Sequence, residues 1–288
     1  MEGDMNYKHN LIIIFTFILM SILCVQNFSF ALDFGNNITI YDNTSSSTYG
    51  WYGQQEDNEV EPGCINTQIW DLEGFFLDNY TLTIIGGFDF ASGVKINNPD
   101  DIITSGDIFI DIDGDVTYGG NQANPTHRSN GIIELNNAYG YDYAIRLNFD
   151  NNQTWYTYEV YEIKNTVYSV YYGHNDWSNP WKYKEASDEQ PIYTGLITYY
   201  DSTQLDSMNL GLAGDNNNNN HYAFSVDLSF LPHGAHFISH FTIECGNDNL
   251  MAQGALPAPE PATIFLFGSG LIGFAVFAKR KMKSSKST

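Results

Sequence analysis

The stretch Tyr222-Ala223-Phe224-Ser225-Val226-Asp227-Leu228-Ser229-Phe230 decides the fold class. Tyr222, Phe224, Val226, Leu228 and Phe230 face one way, and Ala223, Ser225, Asp227 and Ser229 face the other. Successive side chains of a strand point to opposite faces, so a period of two marks a β-strand with one buried face. The same alternation recurs upstream. Tyr143, Ile145, Leu147 and Phe149 oppose Ala144, Arg146 and Asn148, while Ile108, Ile110 and Ile112 oppose Asp107, Asp111 and Asp113. Further strands are expected over Thr81–Ile85, Thr154–Ile163, Thr166–Tyr172, Gly195–Tyr200 and Phe237–Cys245. Turn-rich segments such as Asn97-Asn98-Pro99-Asp100-Asp101 separate them. No helical periodicity runs between Leu32 and Gly254. These residues predict an all-β domain over 32–250, an antiparallel β-sandwich of jelly-roll-like form, followed by a linker over 251–258.

Composition narrows the class. Aromatic residues make up 15% of the chain, too many for a disordered polymer and favourable for strands. The chain carries 34 acidic and 12 basic residues, a formal charge of −22. Between Leu32 and Glu260 only Lys95, Arg128, Arg146, Lys164, Lys182 and Lys184 oppose 32 acids. Such a surface repels phosphate backbones, which excludes nucleic acid as a partner, and it attracts divalent cations.

The two ends read differently from the middle. Leu11 to Val25 is an apolar run after Lys8, followed by Ser29-Phe30-Ala31. That order is a secretory signal peptide over 1–31, exported by the secretion machinery and cut by signal peptidase after Ala31. A lipoprotein signal around Cys24 is disfavoured, because Leu23 stands where a small residue is needed. A second apolar run, Ala262 to Ala278, spans roughly 25 Å as a helix, enough for a single transmembrane segment. Lys279-Arg280-Lys281 follows it, so by the positive-inside rule this end stays cytoplasmic and the preceding chain is exported.

Pro257-Ala258-Pro259-Glu260-Pro261-Ala262-Thr263 leads into a short apolar helix containing Gly268, Gly270 and Gly273, then into basic residues. This order resembles the PEP-CTERM sorting signal, here over 259–283, with Pro259, Glu260 and Pro261 as the motif. The resemblance implies processing by exosortase, a membrane protease or transpeptidase, and removal of the helix and basic tail. It also implies association with exopolysaccharide in a Gram-negative bacterium. On this reading the inner membrane holds the chain only transiently, before the cell surface or extracellular matrix. The prolines keep the site extended and lack donors, which suits access by a protease. Gly106 to Gly114 and Tyr141 to Ile145 resemble segments of exosortase-dependent surface proteins, without implying an activity.

Candidate chemistry is sparse. Asp111-Ile112-Asp113-Gly114-Asp115 places acids at alternate positions around a glycine, as loops that wrap calcium do. It is not an EF-hand, since Val116 and Gln122 occupy the positions of the glycine and the bidentate glutamate. His236 and His240 share a strand face but lie about 13 Å apart, too far to chelate one ion. Trp155, Trp177 and Trp181, if exposed, suit stacking on sugar rings. No nucleophile elbow or phosphate loop is present, and 32 acids guarantee chance carboxylate pairs. The chain is therefore expected not to be an enzyme. It reads first as a surface or matrix protein, alternatively as a carbohydrate-binding or adhesive module, and least as a secreted hydrolase. Removal of Cys24 leaves Cys64 and Cys245, an even pair in an oxidising compartment, and a disulfide between them is expected.

Overall fold

The structure is a computed structural model. It describes residues 33–41, 56, 60, 64–96, 101–116, 131–135, 139–150, 152, 153, 155–164, 167–171, 178–185, 187–205, 210, 212, 220–258, 269, 270 and 272, with only the backbone of 131–135 and 167–171. The chain divides into two compact units, Met1–Asp33 and Phe34–Thr288. Of the first, which holds the expected signal peptide and the Ala31 cleavage site, only Asp33 is described.

Strands dominate the second unit. In chain order they are β1 (Asn36–Asn37), β2 (Thr39–Ile40), β3 (Leu72–Asp78), β4 (Thr81–Gly86), β5 (Val94–Lys95), β6 (Ile102–Ile103), β7 (Ile108–Asp111) and β8 (Gly131–Leu135). There follow β9 (Tyr143–Asn148), β10 (Thr157–Glu162), β11 (Val167–Tyr171), β12 (Lys182–Tyr183), β13 (Tyr193–Leu196), β14 (Thr198–Tyr200), β15 (Tyr222–Asp227), β16 (His236–Thr242) and β17 (Asn249–Ala255). Among the described residues of 33–258, the named helical elements are two short turns, Gln68–Trp70 and Ser202–Leu205. One sheet has the order β1-β3-β4-β15-β14 and the other β13-β10-β9-β7-β16-β17-β2, with every pairing between these strands antiparallel. A three-stranded sheet, β12-β11-β8, and a β5-β6 pair complete the set.

The inner faces of the two large sheets share one core. Phe75, Ile84, Phe224 and Val226 come from the first sheet, and Ile110, Ile145, Val160, Phe241 and Leu250 from the second. Phe224 is fully buried, with ring centroids of Phe90, Phe149 and Phe241 4.8, 5.5 and 5.6 Å away. The alternating residues Tyr222 to Phe230, Tyr143 to Phe149 and Ile108 to Ile112 all turn their apolar sides into this core, as the period of two requires.

The outer faces are covered too. Phe34, Phe76, Ile85, Leu205, Leu210 and Ala223 pack on the outside of the first sheet. Phe109, Tyr139, Tyr141, Ala144, Tyr161, Ile163 and Tyr183 pack on the outside of the second. Asp107, one residue before β7, and Asp111, its last residue, alternate with Phe109 on that outer side and are consequently buried.

Two expectations change. Residues 251–255, read as linker, form most of β17, which lies between β16 and β2 with Leu250, Met251 and Ala252 buried. The domain thus runs past 250, and the next residues, Leu256 and Pro257, are still hydrogen-bonded to it. The expected strand Gly195–Tyr200 breaks at buried Ile197, so that β13 joins one large sheet and β14 the other.

Candidate functional site

Two places were marked by the sequence, the acidic loop after β7 and the segment leading to the Pro-Glu-Pro motif. β7 ends at Asp111, and Gly114, at φ +84°, turns the chain. Few residues other than glycine adopt that conformation cheaply. An Asp111 carboxylate oxygen accepts from the Gly114 N–H at 3.2 Å, and Asp113 accepts from the Asp115 N–H at 3.2 Å. One carboxylate oxygen each from Asp111, Asp113 and Asp115 lies within 4.8 Å of the others. Opposite ligands across a calcium ion are about 4.8 Å apart, so the spacing fits that cation.

Asp142 closes the loop from β9's side, its carboxylate accepting from the Ile112 N–H at 2.7 Å. The sequence reading missed it as a member of this cluster. Crowding of like charges has its electrostatic consequence. Burial, chiefly, holds the Asp111 carboxyl above its usual range, with Asp142 and Asp113 adding to it. The Asp113 carboxylate does the same to exposed Asp115.

The histidines do not converge. His240 is buried, its Nε2 2.9 Å from the Pro180 carbonyl and 3.1 Å from that of Ser178. His236 is exposed at the start of β16. The tryptophans separate as well. Trp181 is fully buried, its ring against Gly246 and its Nε1 donating to Ser178 Oγ at 3.2 Å, so it offers no face to a sugar. Trp155 is 69% exposed. Trp177 lies outside the described residues.

Half of the domain's six basic residues meet at one depression of about 320 Å³, lined by Asp107, Arg146, Lys182, Tyr183, Lys184 and Glu185 among others. Arg146 pairs with Glu185 at 2.7 Å and Lys182 with Glu244 at 3.1 Å. Asp107, at its base, accepts from the Tyr183 and Leu147 N–H groups at 2.8 and 3.2 Å. Burial pushes its carboxyl up to about 6, against the pull of Lys182, those N–H donors and Arg146.

Cys64 is half-buried and Cys245 buried. Both are thiols in the structure, so the expected bridge is not among its covalent bonds. Burial raises the Cys245 thiol to about 11. Their neighbourhoods nevertheless meet. The Asn247 side chain accepts from the Ile65 N–H at 3.0 Å and donates to the Ile65 carbonyl at 2.9 Å.

At its other end β17 is followed by three described residues that precede the motif. Leu256 is buried and its N–H donates to the Ala235 carbonyl at 2.8 Å. The Pro257 carbonyl accepts from the Gly234 N–H at 3.0 Å and from Tyr80 Oη at 3.1 Å. Tyr80 Oη also contacts His233 Nδ1. Ala258 is exposed, and Pro259, Glu260 and Pro261 lie outside the described residues. No helix among the described residues is long and apolar enough to cross a membrane. Of the expected span Ala262–Ala278, only 269, 270 and 272 are described, as exposed helical positions.

Residues 257–281 match the family model of the PEP-CTERM protein-sorting motif. The match covers the motif, the apolar run and the first basic residues identified from sequence, and a motif of this kind indicates exosortase-dependent sorting to the cell surface. No curated protein and no solved structure matches the chain.

Proposed function

We propose that this chain is an exported, non-enzymatic surface protein. In this reading a signal peptide directs export, the tail holds the chain in the inner membrane, and exosortase removes the tail. The β-domain then joins the cell surface or the extracellular matrix beside exopolysaccharide. The observation that carries this reading is the sorting motif at 257–281, placed directly after the last strand of an acidic all-β domain. The jelly-roll-like description of the scaffold draws on the nested pairing of β2 with β17 and β4 with β15. Replacing Glu260 by alanine in the native host tests the sorting reading. The variant accumulates in the membrane fraction with its tail attached. Normal release of Glu260→Ala protein contradicts it.

A second reading, a carbohydrate-binding or adhesive module, has two supports. One is the exposure of Trp155, and the other is the gathering of Arg146, Lys182 and Lys184 in one depression of an acidic domain. An aromatic face stacks on sugar rings, and the cations suit a carboxylate-bearing sugar. Glycan-array binding that is lost in Trp155→Ala separates this reading from the first.

A further inference from the structure

The path of the chain into the sorting motif assigns a partner to one end of the sandwich. β17 is paired on both sides, so it is not a loose end that can peel away cheaply. Its continuation is fixed three times in succession. Leu256 is buried and bonded to Ala235, and the Pro257 carbonyl is held by Gly234 and by Tyr80. Tyr80 belongs to the turn between β3 and β4, and Gly234 to the loop between β15 and β16. The Leu228 N–H donates to the Tyr80 carbonyl at 2.7 Å, tying that loop to that turn. The clamp is therefore part of the folded domain rather than of a tether.

From Pro257 to Pro259 there are two residue steps, at most about 7 Å of extended chain. A protease that binds Pro259, Glu260 and Pro261 must bring its active-site rim to within that distance of the clamp. We infer that the end of the sandwich formed by the Asp78–Tyr80 turn and the Ser229–Gly234 loop is the surface that abuts the membrane-embedded processing peptidase during tail removal. The inference rests on the sorting reading above and adds the docking face.

The chemistry of that face describes the partner. Asp78, Asn79, Ser229, Pro232 and His233 are exposed there, and Asp227 is half-buried at the loop's start. Asp78 and Asp227 supply its formal charges among the described residues of the turn and loop. The complementary peptidase rim is accordingly polar and basic, not an apolar groove.

Bulk placed on this face tests the inference. Ser229→Cys and Pro232→Cys, both at exposed positions, are coupled to a large maleimide polymer in the full-length chain. Thr67→Cys, exposed at the opposite end of β3, serves as the distant control, and unsubstituted protein receives the same treatment. Each is incubated with membranes of the producing bacterium, and loss of the Ile264–Ala278 peptide is followed by mass spectrometry. Adducts at 229 and 232 slow tail removal at least tenfold, and the adduct at 67 leaves it unchanged. Twelve Gly/Ser residues inserted between Ala258 and Pro259 restore the rate of the labelled Ser229→Cys protein. Equal processing of all labelled proteins, or a block that survives the insertion, overturns the docking face while leaving the sorting reading intact. Absence of any cut in the unlabelled native chain overturns both.

Discussion

His240 and Asp107 are both buried, and they give the domain opposing responses to acid. Burial lowers the His240 pKa to about 4 against an ordinary 6.5, despite two carbonyl acceptors at its Nε2. The unfolded chain therefore binds a proton that the folded chain refuses. Its contribution is fully present above about pH 6.5 and is lost as pH falls towards 4. Asp107 works the other way. Its carboxyl titrates near 6 in the fold against 3.8 ordinarily, so its contribution is greatest below 3.8 and fades as pH rises through 6. Chemical denaturation of His240→Phe at pH 7 and pH 5 isolates the first effect. The substitution loses less stability between those values than the parent, by a difference on the order of 1–3 kcal/mol. Identical pH slopes contradict the assignment. The acids of the loop were legible because Asp111, Asp113 and Asp115 alternate around Gly114 within five positions. Asp142 was not, because only the fold brings it to Ile112. Calcium raises the melting temperature if this cluster binds it, and Asp113→Ala abolishes the shift. A calcium shift that persists in Asp113→Ala places the ion elsewhere or reduces it to screening.

Strands declared themselves where one face is apolar and the other polar. β15 and β9 have that form, and each sends its apolar side to the core. β3 does not, since Phe75 and Phe76 are adjacent and both are buried, one in the main core and one in the outer cluster. A strand covered on both faces loses the alternation by which sequence reading finds it. β17 was missed for a related reason. Its Ala252 and Gly254 are buried small residues, and Gly254 admits the Phe237 ring, which would lie 2.6 Å from an added Cβ. Small buried residues carry no apolar signal and read as linker. The covered elements also set the energetic ranking. Phe224→Ala removes a ring enclosed by three others and should cost about 3–5 kcal/mol in denaturant melts. Phe230→Ala, at the half-buried end of the same alternating run, should cost clearly less. Equal losses contradict a core centred on Phe224.

At the scale of the whole molecule a segment ahead of β3 meets the turn ahead of the last strand. The Ile65–Asn247 pair links positions 182 residues apart, next to Cys64 and two residues beyond Cys245. Oxidation of the two thiols after export would close a loop of similar length, worth about 5 kcal/mol in chain entropy, less any strain. Exported protein digested without reductant is expected to yield the Cys64–Cys245 peptide pair. Two separately alkylated cysteines contradict the bridge. Fold class and sorting motif were both readable from sequence, one from period and the other from an ordered string of residue types. What sequence reading could not supply was their junction, because the clamp at Pro257 is made by Tyr80 and Gly234, far away in the chain. The central claim concerns what happens beyond that junction. Intact-mass measurement of the mature protein from its native host tests it most directly. The account predicts a chain that lacks the residues after about Pro261, with no Ile264–Ala278 peptide in its digest. A mature protein that retains this peptide on most molecules is an ordinary anchored protein, and contradicts processing.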